Sequence, residues 1–483
     1  MTGSRRSFLQ GYKNGTAFKE QRGFLDGDRR AFLKTAATGA IAAISARALA
    51  RSPNIIVIFA DDLGYGDLSC YGSNVSTPNL DRMAQEGTRF THFNSANAVC
   101  SPSRAALMTG RYPTRVGIPG VIDPTDTYGL PASETTIAQM LKSVGYATMC
   151  VGKWHLGSLP QFLPTNKGFD EFFGIPYSID MSPRVLMHNT DVIEQKCNLD
   201  DLTQRYTQVA VDFIKRSKGG PFFLYMPHSF PHVPYSASKP FLGVSGQGLY
   251  GDSIQEIDAS VGHILQALKD NGIDSNTLVM FSSDHGPWYQ GSTGGLRGRK
   301  GEIFEGGMRV PFIARFPGSI PSGQVTQALA TNMDILPTIA GLTGAPLPPN
   351  PLDGIDIWPL LSGQQNDLPR EAFLYFSNIC LQAARLGPWK LHVTRFNTQI
   401  YSPDPPGGRL NLPLPNPELY NVAADLDETH DRADRNSALV ADIRSRMDRL
   451  IQTFPPEVQN AWFGTLSQKV YSTSAGALPI QAV

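Results

Sequence analysis

The sequence lacks an excess of charge of either sign. Its 42 lysine and arginine residues balance 42 aspartate and glutamate residues. A protein without a net positive field has no long-range attraction for nucleic acid, so no nucleic-acid partner is expected. Any anion that this protein binds must be held by local groups.

Cysteine is scarce as well. The five cysteines, at positions 70, 100, 150, 197 and 380, form no C-x-x-C pair and no dense framework. This spacing argues against a structural zinc site and against a fold built on disulfides. If Cys100 serves another purpose, the remaining four could form two disulfides in an oxidising compartment, but the sequence indicates no pairing.

No long segment of the chain is poor in apolar residues, and 41% of the 483 residues are hydrophobic. This composition is typical of a chain that buries a large core, and the length exceeds that of one ordinary domain. We expect a signal region over residues 1–50, a large domain over 51–365, a smaller domain over 366–465 and a tail over 466–483. The oligomeric state stays open.

The first fifty residues have the features of an export signal. Arg29 and Arg30 precede a mildly apolar run at 35–44 and the small-x-small sequence Ala48-Leu49-Ala50. These features are typical of a twin-arginine signal, and the run is too short for a stable membrane span. We therefore expect a periplasmic or secreted protein, with a soluble basic helix as the alternative. A similar run at residues 4–9 lacks the apolar part, so translation could start downstream of it.

Beyond residue 51, short apolar runs alternate with helical patterns. This alternation predicts an α/β fold with a large, mostly parallel sheet flanked by helices. Four of the runs, at 54–60, 146–151, 222–226 and 277–283, each end at polar or ionisable residues. Those residues are Asp61 and Asp62, Lys153 and His155, His228 and His232, and Asp284 and His285.

Ligands of parallel sheets bind at the carboxyl ends of strands, so these side chains are expected to share one site. Taken singly, an aspartate could cap a helix, Lys153 could be a solvated lysine and His155 a core histidine. Asp61, Asp62 and Asp284 have no equal supply of predicted buried cations and would repel one another without a metal. Oxygen ligands indicate Ca²⁺, or Mg²⁺, rather than zinc.

Cys100 lies at a predicted helix start, because Pro102 suits a first turn and good helix formers follow it. The positive end of the helix dipole favours an oxyanion there, and Arg104, four residues on, can lie on the same face. A buried, inert cysteine is the structural alternative. The segment is therefore a candidate for the nucleophile.

The sequence from Cys100 to Arg104, CSPSR, resembles the C-x-P-x-R signature of the sulfatase family, and LMTGRYP at 107–113 continues the family pattern. Further matches are DDLGYG at 61–66, TPNLD at 77–81, GKWHLG at 152–157 and EGGMR at 305–309. The resemblance extends from about residue 54 to about residue 427. GFDEFFGIPYS at 168–178 and YGDS at 250–253 are most similar to the arylsulfatase A and galactosamine-6-sulfatase branch.

The resemblance implies an alkaline-phosphatase-like fold and the hydrolysis of aryl or carbohydrate sulfate esters. A formylglycine-generating maturation enzyme would convert Cys100 to formylglycine, whose hydrate is a geminal diol. One hydroxyl would attack sulfur to form a covalent sulfate-enzyme intermediate, and deprotonation of the other would expel sulfate. An ordinary serine alcohol could not eliminate sulfate in this way.

The resemblance also assigns a metal site by matching position. Arg104 would stabilise the modified side chain, and Ca²⁺ would polarise the ester and acidify the diol. The branch usually has asparagine where this chain has His285, so direct coordination by this imidazole stays open. The implied ligands are Asp61, Asp62, Asp284, His285 and the oxygen derived from Cys100.

The remaining assignments concern the substrate. By resemblance, Lys153 and Lys300 would bind sulfate oxygens, and Ser178 would contact the substrate. His155 would be the base for the second hydroxyl, and His232 would protonate the departing alcohol or phenol. Two basic neighbours, at positions 297 and 299, could share the task of Lys300.

Two other functions stay open from the sequence. A phosphate or phosphonate ester hydrolase of the same superfamily would meet similar tetrahedral oxygens, although many such enzymes use further metals with histidine and aspartate ligands that are not found here. A non-enzymatic sulfoglycan-binding protein would leave Cys100 unmodified. Intact-mass analysis, which shows directly whether Cys100 is modified, distinguishes this second alternative from a formylglycine enzyme.

After residue 359 the pattern changes to short apolar runs, a proline-rich stretch at 402–417 and a charged helix at 438–454. This change predicts a smaller C-terminal α+β domain, and the resemblance implies that it holds a small antiparallel sheet with a helix. Its loops are expected to line the rim of the pocket. Lys390 could be a substrate contact or a plain surface residue.

Overall fold

The computed structural model describes residues 52–399 and 401–468, and the predicted signal region and nearly all of the tail lie outside this range. Most strands of the described chain belong to one large sheet. In chain order they are β1 (Asn54–Ala60), β2 (Thr88–Asn94), β3 (Ala147–Lys153), β4 (Glu171–Ile175), β5 (Leu186–His188), β6 (Asp191–Glu194), β7 (Phe222–Pro227), β8 (Thr277–Ser283), β9 (Arg309–Arg315), β10 (Gln324–Thr326) and β11 (Ala330–Thr331).

The strand order in this sheet is β10-β2-β9-β8-β1-β7-β3-β4-β5-β6, with β11 beside β2. The central strands β8, β1, β7, β3 and β4 run parallel to one another, whereas β9 and the edge pair β5 and β6 are antiparallel to their neighbours. The predicted mostly parallel sheet is therefore confirmed. Its four predicted strands are β1, β3, β7 and β8, and β3 extends to Lys153 rather than stopping at residue 151.

Helices cover the sheet: α4 (Leu202–Ser217) packs on β3 and on α5 (Gly248–Asp270), and α1 (Pro78–Gln85) packs on α5 and β9. No described helix is long and apolar enough to cross a membrane. The helices of the described chain are α1 (Pro78–Gln85), α2 (Cys100–Thr109), α3 (Ile137–Lys142), α4 (Leu202–Ser217), α5 (Gly248–Asp270), α6 (Glu305–Met308), α7 (Ile335–Thr343), α8 (Trp358–Leu361), α9 (Ser437–Ile451) and α10 (Pro456–Leu466).

The central strand β1 illustrates why these residues form this sheet. All seven of its residues are buried, as expected for a continuous apolar strand covered on both faces. Ile55 stands beside Phe223 of β7 and Leu278 of β8 in register. The carboxyl ends of these three strands therefore lie at the same edge of the sheet.

The C-terminal part forms a second, antiparallel sheet of β12 (Phe373–Ser377), β13 (Cys380–Leu386), β14 (Trp389–Phe396) and β15 (Asn411–Asn421), in that order. Helices α9 and α10 pack against it. The prediction of a proline-rich loop over residues 402–417 is wrong for its second half, because β15 begins at Asn411. β15 tolerates its prolines because it lies at the edge of the sheet. Its pairing with β14 is also irregular, since the register shifts between the pair His392 and Glu418 and the pair Thr394 and Pro413.

A hydrophobic cluster separate from the core of the large sheet lies between the C-terminal sheet and α2. Tyr112, which follows α2, packs against Phe373, Phe376 and Phe454 of the C-terminal part, with ring centroids 5.6 to 6.1 Å apart. The C-terminal sheet therefore packs directly behind the helix that begins at Cys100. The exact domain boundaries at residues 365 and 465 stay predictions.

A fully buried network of charges also joins the two sheets. Lys390 of β14 donates to the carbonyl oxygen of Ile303 at 2.7 Å and lies 3.2 Å from Glu305. Glu428 accepts a hydrogen bond from the backbone of Glu305 at 2.7 Å and contacts His392 at 2.8 Å. Lys390 is therefore neither a surface residue nor a substrate contact, and it anchors the segment that follows Lys300.

Gly152 of β3 occupies a position that no other residue fits. Its φ is 133°, and a Cβ atom there would overlap the carbonyl oxygen of Pro227 in the neighbouring strand. We expect Gly152→Ala to lower the free energy of unfolding by about 3–5 kcal/mol, because steric overlap and backbone strain add. Urea denaturation monitored by circular dichroism measures this loss.

Gly145 provides the matched control. Its φ is 87°, but a Cβ atom there would meet nothing within 4 Å, so Gly145→Ala tests backbone strain alone. We expect it to cost about 1 kcal/mol. Equal losses for the two variants would contradict the proposed overlap with Pro227.

Candidate active site

The carboxyl ends of β1, β7, β3 and β8 deliver the predicted side chains to one place. Asp61 and Asp62 follow β1, Lys153 ends β3, and Asp284 follows β8. The backbone of Asp62 donates to Asp284 Oδ1 at 3.1 Å. Asp62 and His155 have positive φ angles of 65° and 59°, which are uncommon for these residue types and concentrate at functional sites.

Cys100 is the first residue of α2, as the sequence predicts, and it points into this cluster. Its Sγ lies 3.3 Å from His285 Nε2 and 3.7 Å from Asp61 Oδ1. Burial raises the pKa of the Cys100 thiol, but Lys153, Lys300 and His285 outweigh it and hold the pKa well below its ordinary value. Position 100 therefore favours a negatively charged group.

The three aspartates are paired with buried cations, which corrects the expectation that such cations would be too few. Arg104 donates to Asp61 at 3.1 Å and to Asp284 at 2.8 Å. Lys153 Nζ lies 2.7 Å from Asp61 Oδ2, and Lys300 Nζ lies 2.8 Å from Asp62 Oδ1. Repulsion between the carboxylates is therefore no longer an argument for a metal.

The geometry of the donor atoms does fit a metal. Ligand atoms of Asp61, Asp62, Cys100 and His285 all lie within 4.8 Å of one another. His285 Nε2 lies 3.4 Å from Asp62 Oδ1 and 3.5 Å from Asp284 Oδ2. Two ligands at right angles around a Ca²⁺ ion are separated by about 3.4 Å, so these spacings suit a cation between them.

The orientation of His285 supports the same conclusion. Its Nδ1 lies 2.9 Å from the carbonyl oxygen of Gly286, to which it must donate. The neutral ring therefore directs the lone pair of Nε2 towards Asp62 and Asp284, where only a proton or a cation makes the contact favourable. In the protein without a metal, burial lowers the pKa of His285, but Asp284 and Cys100 outweigh it and raise it to about 9.

His155 has the form of a base. Its Nε2 lies 3.0 Å from the carbonyl oxygen of Ile122, so the proton is on Nε2. Its Nδ1 is buried without a hydrogen-bond partner among the described residues, and the ring interacts electrostatically with Cys100. Burial and Lys153 lower the pKa of His155, so the ring is neutral at pH 7.

Lys153 and Lys300 lie on two sides of the cluster, each beside another predicted substrate contact. Lys153 Nζ lies 3.1 Å from Ser178 Oγ, and Lys300 Nζ lies 2.9 Å from His232 Nε2. His232 Nδ1 is 2.6 Å from the carbonyl oxygen of Val233. With its Nδ1 donating, His232 takes a second proton on Nε2 only when Lys300 turns away from it.

Arg297 and Arg299, the two basic neighbours, make contacts that differ from those of Lys300. Arg299 donates to the carbonyl oxygens of Trp288 and Gly291 at 3.0 and 2.8 Å. Arg297 donates to the carbonyl oxygen of Glu428 at 2.8 Å. Both guanidinium groups therefore hold backbone in place, and Lys300 alone of the three contacts Asp62 and His232.

A cavity of about 300 Å³ opens beside Lys300, and its walls include Trp288 and Tyr401, which the sequence analysis missed. Trp288 lies four residues beyond Asp284, so its position after a strand end was a usable signal. Tyr401 lies between β14 and β15 of the second sheet, and no sequence pattern connects it to the site. All five cysteines are unpaired in the described chain, so it contains no disulfide.

A family profile described as Sulfatase matches residues 53–345 of this chain. Human arylsulfatase A is 43% identical over 384 residues, which cover 71% of this chain and 75% of the relative. Human N-acetylgalactosamine-6-sulfatase is 42% identical over 374 residues, which cover 70% of this chain and 71% of the relative. The predicted branch is therefore found among the similar proteins.

Solved structures have the same fold. A sulfatase from Pseudoalteromonas sp. superposes with a TM-score of 0.77 at 28% identity, covering 87% of this chain and 94% of its own. The phosphonate monoester hydrolase of Agrobacterium radiobacter superposes with a TM-score of 0.60 at 21% identity, covering 82% and 95%, which shows a shared fold alone. Because the profile covers more than half of the chain and the relatives exceed 40% identity, this chain belongs to the sulfatase family and is a sulfuric ester hydrolase.

Proposed function

We propose that this sulfatase hydrolyses aryl or carbohydrate sulfate esters with a formylglycine derived from Cys100 as the nucleophile. The observation that carries the proposal is the setting of Cys100. It lies at the start of α2, 3.3 Å from His285, and the nearby ammonium groups of Lys153 and Lys300 stabilise negative charge there. A site that stabilises an oxyanion at position 100 suits a deprotonated diol.

The lysines supply the sulfate-binding charges. Lys153 and Lys300 hold Asp61 and Asp62 in the protein without substrate, and each can turn to a sulfate oxygen as negative charge builds up on it. Ser178, beside Lys153, is positioned to donate a hydrogen bond to the same group. Two separate cations thus surround one tetrahedral anion.

The histidines move protons at opposite ends of the reaction. His155 presents an unprotonated Nδ1 near position 100 and would remove the proton from the second hydroxyl, which expels sulfate. His232 would gain a proton on Nε2 once Lys300 turns to the sulfate, and would then donate it to the leaving oxygen. Each of these roles requires one particular tautomer of the histidine ring. In both histidines, the hydrogen bond from the ring to a backbone carbonyl oxygen selects that tautomer.

The state of residue 100 is tested by peptide mass spectrometry on protein from its native host. Formylglycine in place of cysteine removes one sulfur and two hydrogens and adds one oxygen. We expect Cys100→Ala to lose at least about 10³-fold in kcat while keeping its circular dichroism spectrum, because the nucleophile is gone.

Cys70→Ala is the control, since this thiol lies outside the site and should not affect turnover. A fully alkylatable Cys100 in an active preparation, or near-normal activity of Cys100→Ala, would contradict the mechanism.

A divalent metal, Ca²⁺ or Mg²⁺, belongs to the same proposal. Asp61, Asp62, His285 and the group at position 100 would hold it, and the spacing of their donor atoms supports this. Asp284 would complete the set, since its Oδ2 lies 3.5 Å from His285 Nε2 while it accepts a hydrogen bond from Arg104 at 2.8 Å. When bound, the metal would polarise the sulfate ester and acidify the diol.

Chelation tests the metal. We expect EDTA to abolish turnover and Ca²⁺ or Mg²⁺ to restore it, and elemental analysis of the active protein to give about one ion per chain. Asp62→Asn should bind less metal without loss of fold, whereas Asp81→Asn, outside the site, should bind the normal amount. Full activity of a metal-free preparation would disprove this part of the proposal.

The alternatives receive less support. The phosphonate monoester hydrolase shares only the fold with this chain, whereas the sulfatases share more than 40% of aligned residues. Among the described residues, two groups of side chains could hold a metal ion; the second, Asp425, Asp427 and His430, shares no residue with the group at Cys100. A binding protein would have no use for the unprotonated His155 or for the strained backbone that holds it.

Export through a twin-arginine pathway is a further proposal, based on residues 1–50, which lie outside the described structure. Replacement of Arg29 and Arg30 by lysine should keep the protein in the cytoplasm, because the pathway requires the arginine pair. Fractionation of a host with this pathway measures the location. Replacement of Arg5 and Arg6 by lysine is the control and should leave export intact. If this control variant stays in the cytoplasm instead, the export signal lies at residues 4–9 and not at Arg29 and Arg30.

A further inference from the structure

A cavity of about 270 Å³ lies where the two sheets meet, and none of its wall residues belongs to the active site. His92 of β2 contributes to the wall from the large sheet, and Arg385 of β13 contributes from the second sheet. The rest of the wall comes from residues 327–329, 366–367, 387–388 and 423. The cavity can hold a tetrahedral anion and a few waters, since one water takes about 30 Å³.

His92 has an unused hydrogen-bond acceptor at this cavity. The hydroxyl of Thr91 donates to the carbonyl oxygen of Thr326 at 3.2 Å, so it accepts from His92 Nδ1, which is 3.1 Å away. The ring proton is therefore on Nδ1, and Nε2 carries a lone pair. His92 is only 6% exposed, and its Nε2 is buried without a hydrogen-bond partner among the described residues. A buried acceptor in this state costs free energy until a donor reaches it.

Arg385 brings a cationic donor to the same cavity. Its side chain is nearly fully buried, with Nε donating to the carbonyl oxygen of Gly387 at 2.8 Å and Nη1 donating to Glu305 at 3.3 Å. Its Nη2 makes no hydrogen bond to another described residue. The cavity thus combines an available guanidinium donor with the lone pair of His92.

The buried network that includes Arg385 has an excess of positive charge. Arg309, Arg385 and Lys390 lie 2.8, 3.3 and 3.2 Å from Glu305, and Lys390 lies 3.3 Å from Glu428. Three buried cations therefore face two buried carboxylates. An uncompensated charge in the interior is costly, so an anion in the adjoining cavity would stabilise the junction of the two sheets.

The acidic residue in the cavity wall does not supply the missing negative charge. Asp367 is exposed, and its Oδ1 accepts from the backbone of Leu368 at 2.9 Å. Its carboxylate forms no ion pair with Arg385 in the described part of the chain. Water and salt screen such an exposed charge. The exposed side-chain amides of Gln327 and Asn366 add further donors to the wall.

The neutral ring of His92 distinguishes between two common tetrahedral anions. Burial, Arg309 and Arg385 lower the pKa of His92 to about 3, so at about pH 8 the ring supplies no second proton. At this pH the phosphate dianion still holds one proton, whereas the sulfate dianion holds none. Phosphate can therefore accept from Arg385 and also donate to His92 Nε2. Sulfate would place an oxygen lone pair against the lone pair of Nε2.

We infer that His92 and Arg385 form a second oxyanion site, separate from the active site, which selects hydrogen phosphate over sulfate. The phosphate hydroxyl donates to His92 Nε2, and the other oxygens accept from Arg385 and from the amides of the wall. Because a sulfatase releases sulfate, such a site needs a means of rejecting the product, and the lone pair of His92 provides it. The inference does not depend on the nature of the nucleophile at position 100.

Two anions with anomalous scattering test the site in crystals of the full chain. Crystals are soaked at about pH 8 in hydrogen arsenate, which replaces phosphate, or in selenate, which replaces sulfate, over a series of concentrations. We expect an arsenic peak between His92 and Arg385, and about 10-fold weaker binding of selenate, because it leaves one acceptor unpaired. Equal binding of the two anions would overturn the selection of phosphate, and the absence of both peaks would overturn the site.

Thermal denaturation tests the same selection in solution. At equal concentrations we expect phosphate to raise the Tm of the wild-type protein about 1–2 °C more than sulfate does, because it binds the folded state more tightly. His92→Phe keeps a ring but has no acceptor, and it should remove this difference without lowering turnover. Arg385→Gln should weaken the effect of both anions, because the cationic donor is gone.

His263→Phe is the matched control, since His263 is an exposed histidine of α5 that lies outside this cavity. It should keep the wild-type difference between phosphate and sulfate. Anions bound in the active site act on the wild type, His92→Phe and His263→Phe alike, so they cancel in the comparison. A phosphate preference that persists in His92→Phe would contradict the inference. The soaks of the wild-type crystals need no variant and keep the test decisive if Arg385→Gln unfolds.

Discussion

The buried guanidinium of Arg104 joins the parts of the chain that make the site. It donates to Asp61 after β1, to Asp284 after β8 and to the carbonyl oxygen of Lys153 at the end of β3, and it is fully buried. A buried ion is costly unless its partners are placed around it, so the three strand ends cannot separate without exposing an unpaired charge. This constraint holds the strand ends against the start of α2.

The pairing of carboxylates with cations also explains how the site is kept ready for an anion. Asp61 and Asp62 hold Lys153 and Lys300 close to position 100, although neither ammonium is stable alone at such burial. In the proposed reaction the carboxylates would turn to the metal and the lysines to sulfate. The same four side chains would then exchange partners without leaving a charge unpaired.

The second sheet supports the site from outside the main one. Lys390, Glu305 and Glu428 form a buried network that holds the backbone at Ile303, three residues beyond Lys300. Arg297 ties the same segment to Glu428. Because these charges pair only when both sheets are in place, the position of Lys300 depends on the C-terminal part as well as on the catalytic sheet.

The sequence by itself determined the parallel sheet, four of its five central strands and the start of α2 at Cys100, because apolar runs, strand-end polar residues and a helix-starting proline are local signals. The family motifs identified four candidate site residues, namely Asp61, Lys153, His155 and Lys300. Only the tertiary structure decided that the three carboxylates already have cationic partners, that Lys390 is buried, and that Tyr401 reaches the pocket. Each of these depends on contacts between residues tens to hundreds of positions apart, which no local pattern records.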